Sequence, residues 1–407
     1  MSILVMKFGG TSVASADLVR RAAGRAIRAK QQGHDVLVVV SARGQTTDEL
    51  IELAHEITDR PDPRELDQLV STGEQISVAL MAMAIHAAGY PAISFTGGQV
   101  GLVTNSIHTK ARIQSVDVDR IRDEFEKGAI VIVAGFQGVD AKRNVTTLGR
   151  GGSDTTAVAL AAVLRAEVCE IYTDVSGVYT ADPRVVPTAR QIDRIAYDEM
   201  LELASLGAGV IHSRAVEFGK KYHIPIHVRS SMTEDPGTMI VEEVGAMEQI
   251  TVRGAAMTKD LAKVTICGVP DHPGVAAHIF HEIAVTNVVV DDIIQNISRD
   301  GSTDVTFTVA SGDLSAIVET AGKLVKELGA RGILTDKNVS KVSVVGVGMR
   351  THTGVAERMF RALADAKINI QMISTSEIKI SCIIDRASAE KALCVVHDAF
   401  GLGEKND

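Results

Sequence analysis

The chain has 407 residues, too many for one ordinary hydrophobic core, so two or three domains are expected. Its 42 Lys and Arg against 51 Asp and Glu leave a net charge of −9, with no basic stripe, which argues against a nucleic-acid partner. No apolar run approaches the roughly 18 residues that span a bilayer, and no secretory leader precedes Lys7, so a soluble, cytoplasmic protein with no membrane partner is expected. Four scattered cysteines (Cys169, Cys267, Cys382, Cys394) form no C-x-x-C pair, and the twelve histidines form no H-E-x-x-H, so no protein-held metal is expected.

From the N-terminus to about residue 229, short continuous apolar runs alternate with longer segments of helical period. Runs at 3–8, 36–40, 92–95, 130–134, 170–173 and 226–228 have the composition of strands buried on both faces, and 17–32, 75–88 and 155–165 that of helices between them. Such alternation predicts crossover units, hence an α/β domain with a mainly parallel sheet sandwiched by helices. Ligands of such sheets sit beyond the carboxyl ends of the strands. After the turn Asp235-Pro236-Gly237-Thr238 the pattern changes and the chain repeats itself. Lys263-Val264-Thr265-Ile266 is echoed by Lys341-Val342-Ser343-Val344, and 274–295 returns 80 residues later without a gap. Each copy reads strand, Gly-containing turn, helix, strand, strand, too small to stand alone, so the two should pack into one α+β domain.

Chemistry is expected where strands end. The first strand runs into Lys7-Phe8-Gly9-Gly10-Thr11-Ser12, which offers flexible glycines, backbone N–H groups and a point charge to a phosphate. The segment Leu148-Gly149-Arg150-Gly151-Gly152-Ser153-Asp154 places a lone Arg suited to a carboxylate among glycines, with Ser153 and Asp154 positioned to cap a helix starting at Thr155. Ser41 with Thr47, Ser71-Thr72-Gly73-Glu74, and the run from Thr173 to Arg184 fit the same pocket, although Glu74 could also form a capping box with Ser71. The usual P-loop and protein-kinase signatures are absent.

Together K-F-G-G-T-S, S-T-G-E, G-F-Q-G (135–138), L-G-R-G-G-S-D and T-D-V-S-G-V-Y-T-A-D-P-R closely resemble the aspartate kinases of the amino-acid-kinase superfamily, and the C-terminal repeats resemble ferredoxin-like ACT modules. That resemblance implies a catalytic domain over 1–245 and a regulatory domain over 246–407, with modules at about 263–335 and 341–407 and 246–262 packing onto them. It implies that MgATP phosphorylates the side-chain carboxylate of L-aspartate, the first step toward lysine, threonine and methionine, with Mg²⁺ carried mainly on the phosphates. Lys7 and Asp154 are the implied catalytic residues. Arg150 would hold the α-carboxylate and Glu74 the α-ammonium, with Ser41, Thr47, Gly151, Gly152 and Ser153 completing the substrate pocket. Lys7, Phe8, Gly9, Gly10, Thr173, Asp174, Tyr179, Asp182 and Arg184 would receive the nucleotide. Lysine or threonine effectors would meet Asp271, Ala276, Val289, Asp291 and Gln295 of the first repeat and Asn369, Ile370, Thr375 and Ser376 of the second. ACT modules also imply pairing across subunits, in a homo-oligomer or with a short regulatory chain initiated near Met247. One departure is Gly209, where many members carry a nucleotide-contacting Lys that Lys220 or Lys221 would have to replace. A carboxylate kinase acting on glutamate or acetylglutamate, and an inactive amino-acid sensor, stand as the alternatives.

Overall fold

The computed structural model describes residues 2–207, 209–242, 252–296, 301–350 and 352–404, so Met247 and Thr351 lie outside the described residues. The chain divides into two compact units, Met1–Tyr179 with Gln191–Ala246, and Thr180–Arg190 with Met247–Asp407.

The first unit is built on an eight-stranded sheet. Its order is Arg194–Ala196, Thr238–Val241, Ile226–Ser230, Val168–Thr173, Ile3–Phe8, Asp35–Val40, Ile130–Ala134, Ala92–Phe95. Every neighbouring pair is parallel except Ile226–Ser230 with Thr238–Val241. The central strands are mostly apolar because helices cover both faces, with Lys7 and Glu170 as buried charged exceptions. Strand alternation sends Leu4, Met6 and Phe8 to the face covered by the helices Ala16–Gln31 and Thr72–Ala87. It turns Lys7 to the opposite face, against which the helix Gly152–Leu164 packs. That helix begins three residues earlier than the pattern predicts: Gly151, with φ +66°, is the N-cap, so Ser153 and Asp154 lie inside the first turn instead of capping it. A smaller sheet, Ile113–Ser115, Val103–Thr104, Gln137–Val139 and Val145–Thr147, stands beside the carboxyl ends of the central strands.

The second unit is a six-stranded antiparallel sheet in the order Asp291–Gln295, Ser302–Ala310, Gly254–Pro270, Gly332–Val345, Lys379–Asp385, Ile370–Thr375. Two strands are long enough to serve both repeats. Lys263–Cys267 pairs with Gly332–Asp336 in the first, and Gly254–Thr258 pairs with Lys341–Val345 in the second. The second repeat is therefore closed by a strand that precedes the first in sequence, and the expected module start at 263 falls inside a continuous strand. Helices Val275–Val285 and Leu314–Leu328 cover the first repeat, Val355–Asp365 and Ala389–Ala399 the second. Gly274 and Gly354, equivalent in the two copies, cap the first helix of each at φ +100° and +91°. The segment Thr180–Arg190 also belongs here, where the expected domain limits assigned it to the catalytic part. Ala181 and Val186 join the second repeat's core, and the Thr180 hydroxyl lies 3.0 Å from Nε2 of the buried His397.

Candidate active site

Beyond the carboxyl ends of the central strands the first unit opens into a cleft of about 1080 Å³. It is lined by Lys7, Gly10, Ser41, Thr47, Glu74 and the turn Gly149–Asp154, so most of the residues singled out from separate motifs meet in one place. Lys7 Nζ stands 2.5 Å from Asp154 Oδ1. The contact is an ion pair without the angles of an aligned hydrogen bond, since that oxygen has no hydrogen-bond partner among the described residues. Asp154 Oδ2 accepts the His212 N–H at 3.4 Å. Facing strand and helix thus deliver a cation and an anion to the floor of the cleft from opposite directions.

Glu74 is only 3 % exposed. Its helix begins at Thr72, and the Ser71 hydroxyl donates to Gln68 O, so the capping-box alternative does not form. Glu74 Oε1 instead accepts the Ala42 N–H at 3.0 Å, while Oε2 is buried with no partner among the described residues. Burial disfavours the charged form more than the Ala42 hydrogen bond favours it, and the carboxyl is raised to about 7. A buried carboxylate oxygen without a donor, in the wall of a cleft, is a ready partner for a ligand cation.

Glycines here make room for close approach. A Cβ on Gly10 would stand 2.7 Å from Ala42 O, and one on Gly151 would stand 2.2 Å from the His212 ring carbon Cγ. Arg150 is exposed at the rim. The Phe8 side chain is no ligand: it is buried in the core and stacks on Tyr172, centroids 4.7 Å apart. Gly9 N–H donates to Tyr172 O, which sets Gly9 beside Thr173, and Thr173, Asp174 and Tyr179 follow on the next strand end outside the cleft lining. Asp182 and Arg184 lie in the second unit, where they pair with each other at 2.7 Å. Lys220 is paired with Asp198 at 2.6 Å, and the Lys221 ammonium sits over the Tyr222 ring.

Several cleft residues escaped the sequence reading: Asp67, Thr109, Lys110, Arg112, His212 and Arg214. They come from the helix Pro63–Val70, the loop through 109–112 and the start of the helix Ser213–Tyr222, none with a phosphate or carboxylate motif of its own, and only the fold gathers them. Arg214 donates to Leu148 O at 2.8 Å and Ala111 O at 3.3 Å. Burial, and then Arg112, depress its pKa.

In the second unit Asp271, Ala276 and Gln295 line a cavity of about 350 Å³ with His272, Pro273 and Gly274. Asp291 does not join them. Its carboxylate is 2.5 Å from the buried Lys341 Nζ, because a register shift between Asp291 and Ile294, with Asp292 at φ +49°, breaks the alternation and brings both aspartates to that lysine. Val289 is 80 % exposed, Asn369, Thr375 and Ser376 are exposed, Ile370 is half-buried, and none of these lines the cavity.

A model described as the amino acid kinase family matches residues 2–230, and ACT domain models match 263–326 and 342–400. An aspartate kinase of Stutzerimonas stutzeri strain A1501 is 53% identical over 403 residues, 99% of this chain and 98% of the relative. The chain belongs to the aspartate kinases of the amino acid kinase family. Among solved structures, E. coli aspartokinase III in complex with aspartate and ADP, described as the R-state, is 27% identical with a TM-score of 0.80, covering 98% of this chain and 99% of that one. The same enzyme with lysine and aspartate, described as the T-state, gives a TM-score of 0.75 over the same shares at 27% identity. Membership makes the chain a carboxylate-directed kinase with a parallel-sheet catalytic fold followed by ACT modules. No helix among the described residues is long and apolar enough to cross a membrane.

Proposed function

We propose that this enzyme transfers the γ-phosphoryl group of MgATP to the side-chain carboxylate of L-aspartate, releasing ADP and 4-phospho-L-aspartate, and that its ACT pair slows the reaction when lysine or threonine accumulates. The observation that carries the substrate assignment is the buried Glu74 oxygen without a donor, in the same cleft as Arg150 and the Lys7–Asp154 pair. An α-amino acid brings an ammonium for Glu74 and an α-carboxylate for Arg150, and its second carboxylate then reaches toward Lys7. A carboxylate oxygen attacks the γ-phosphorus as the bond to the β-phosphate oxygen breaks. Lys7 stabilises charge on the transferring group, and Asp154 holds Lys7 in place. Ser41, Thr47 and the N–H groups of Gly151 and Ser153 complete the acceptor pocket, and Gly152, whose own N–H donates to Gly149 O, permits the tight turn that presents them. Gly9, Gly10, Thr173, Asp174 and Tyr179 receive the nucleotide. Mg²⁺ travels with the phosphates as part of the substrate. Asp271, Ala276 and Gln295 form the effector cavity that an ACT partner completes with residues around Asn369 and Ile370.

The test is ATP consumption with L-aspartate, L-glutamate and N-acetylglutamate, trapping the acyl phosphate as hydroxamate, with and without lysine, threonine and both. Hydroxamate from aspartate alone, reduced by an effector, supports the proposal. Turnover with another acceptor, or none with any, overturns it.

A further inference from the structure

Asp67 is 0 % exposed, and all its hydrogen-bonding capacity is spent on two neighbouring segments. From the helix Pro63–Val70 its carboxylate takes the Thr109 N–H on both oxygens, at 3.1 and 3.0 Å. It also takes His108 Nδ1 at 2.8 Å and the Thr147 hydroxyl at 2.6 Å. Thr109 has φ +66°, a conformation that a β-branched residue keeps only when its surroundings fix it. Here the pinned N–H does so, and the chain reverses just before Lys110, which turns Lys110 into the cleft wall.

The same segment is fastened to the glycine-rich turn. Ala111 N–H donates to Thr147 O at 2.8 Å, and Arg214 bridges Ala111 O and Leu148 O. A Cβ on Gly149, itself at φ +77°, would stand 3.0 Å from Thr109 O. Residues 108–112 and 147–150 are therefore one body, keyed by Asp67 and Arg214. It presents Lys110, Arg112 and Arg150, none with a carboxylate partner among the described residues. Asp67 makes no direct ion pair with them, because its oxygens already accept from His108, Thr109 and Thr147. Three cations gathered beside a carboxylate-gripping turn raise the local positive potential and favour an anionic ligand there.

We propose that Lys110 is a further contact to the anionic acceptor in this cleft, setting the preference for a dicarboxylate, and that Asp67 is the positioning residue that aims it. The proposal rests on the acceptor assignment made above. Lys110 is exposed, so Lys110→Met should fold as the parent does. The expected result is a KM for L-aspartate raised roughly tenfold or more, KM for ATP within twofold, and partial recovery in Lys110→Arg. Asp67→Asn keeps the shape but loses the charge-assisted bonds, and should move the same KM in the same direction at a temperature where its thermal melt shows it folded. Thr147→Val removes one of the three donors to Asp67 and should give a smaller shift of the same KM. A parent inactive on aspartate would remove the acceptor assignment itself. An active parent whose Lys110→Met variant keeps its aspartate KM within twofold, or loses ATP affinity instead, would overturn this inference alone.

Discussion

Glu74 combines burial, an unmatched oxygen and a carboxyl raised to about 7, and these have opposite consequences for binding and for stability. Only the ionised form can hold an ammonium. The kcat/KM for aspartate should therefore fall as pH drops below about 7, approaching tenfold per unit, while kcat at saturating aspartate changes less. Because the folded pKa is raised above the ordinary carboxyl value of 4.5, the stability linked to this group is fully present below 4.5 and is lost as pH rises through about 7. Glu74→Gln should accordingly raise the melting temperature of the unliganded enzyme at pH 8, by up to about 3 kcal/mol of stability. It should also raise KM for aspartate by roughly 30-fold or more. A variant that melts below the parent at pH 8, or retains the parent's pH profile, would show that another group titrates. The identity of Glu74 as a candidate was legible in its four-residue motif, but its oxygen bonded to Ala42 was not, because that partner lies on a different strand end.

Turns and strands carry the next set of consequences. The turn before Gly152–Leu164 works only with glycine at 151, where φ is +66° and His212 occupies the space a Cβ would take. Gly151→Ala meets both penalties and pushes His212, whose N–H holds Asp154, away from the cleft. Gly33→Ala is the matched control: φ is +95°, with nothing within 4 Å of the added Cβ among the described residues. Urea unfolding should show a loss of about 1 kcal/mol for Gly33→Ala and clearly more for Gly151→Ala, with activity lost only in the latter. In the second unit the two repeats reach across to each other in a reciprocal way. Lys341 Nζ meets Asp291 and Asp292 at 2.5 and 2.9 Å, and its counterpart Lys263 meets Gln371, the residue 80 positions beyond Asp291. Lys341 is 3 % exposed and the Asp292 side chain is nearly buried, whereas the Lys263 contact is exposed and ends on a neutral amide. Lys341→Met leaves a buried carboxylate without its cation and should destabilise the protein by about 3 kcal/mol. Lys263→Met should cost about 0.5 kcal/mol or less. Equal melting shifts for the two would mean that the buried pair carries no special weight. The repeat itself was plain in the sequence. This asymmetry was not, because it depends on which copy's acceptor is charged and how deeply its lysine is covered.

At the scale of the whole molecule, the long strand Gly254–Pro270 decides what can stand alone. A fragment spanning 247–407 keeps the whole six-stranded sheet, including the pairing of Gly254–Thr258 with Lys341–Val345. One spanning 263–407 loses that strand and uncovers the edge of the second repeat. The longer fragment should melt cooperatively and stay soluble, while the shorter should aggregate or melt without a clear transition. Two fragments that behaved alike by circular dichroism would show the pairing to be dispensable. The sequence by itself determined the parallel α/β domain, the internal repeat and the motif residues Lys7, Glu74, Arg150 and Asp154, because apolar runs, an 80-residue period and glycine-rich turns are local properties that survive without coordinates. Only the tertiary structure decided that Lys7 meets Asp154, that Asp67 and Arg214 lock residues 108–112 to the glycine turn, and that Thr180–Arg190 packs with the second unit. It also decided that Asp291 turns to Lys341. Each of these depends on which side of a strand or helix a residue faces and on what distant segment covers it, and burial of charge is set by that covering and not by the neighbours in sequence.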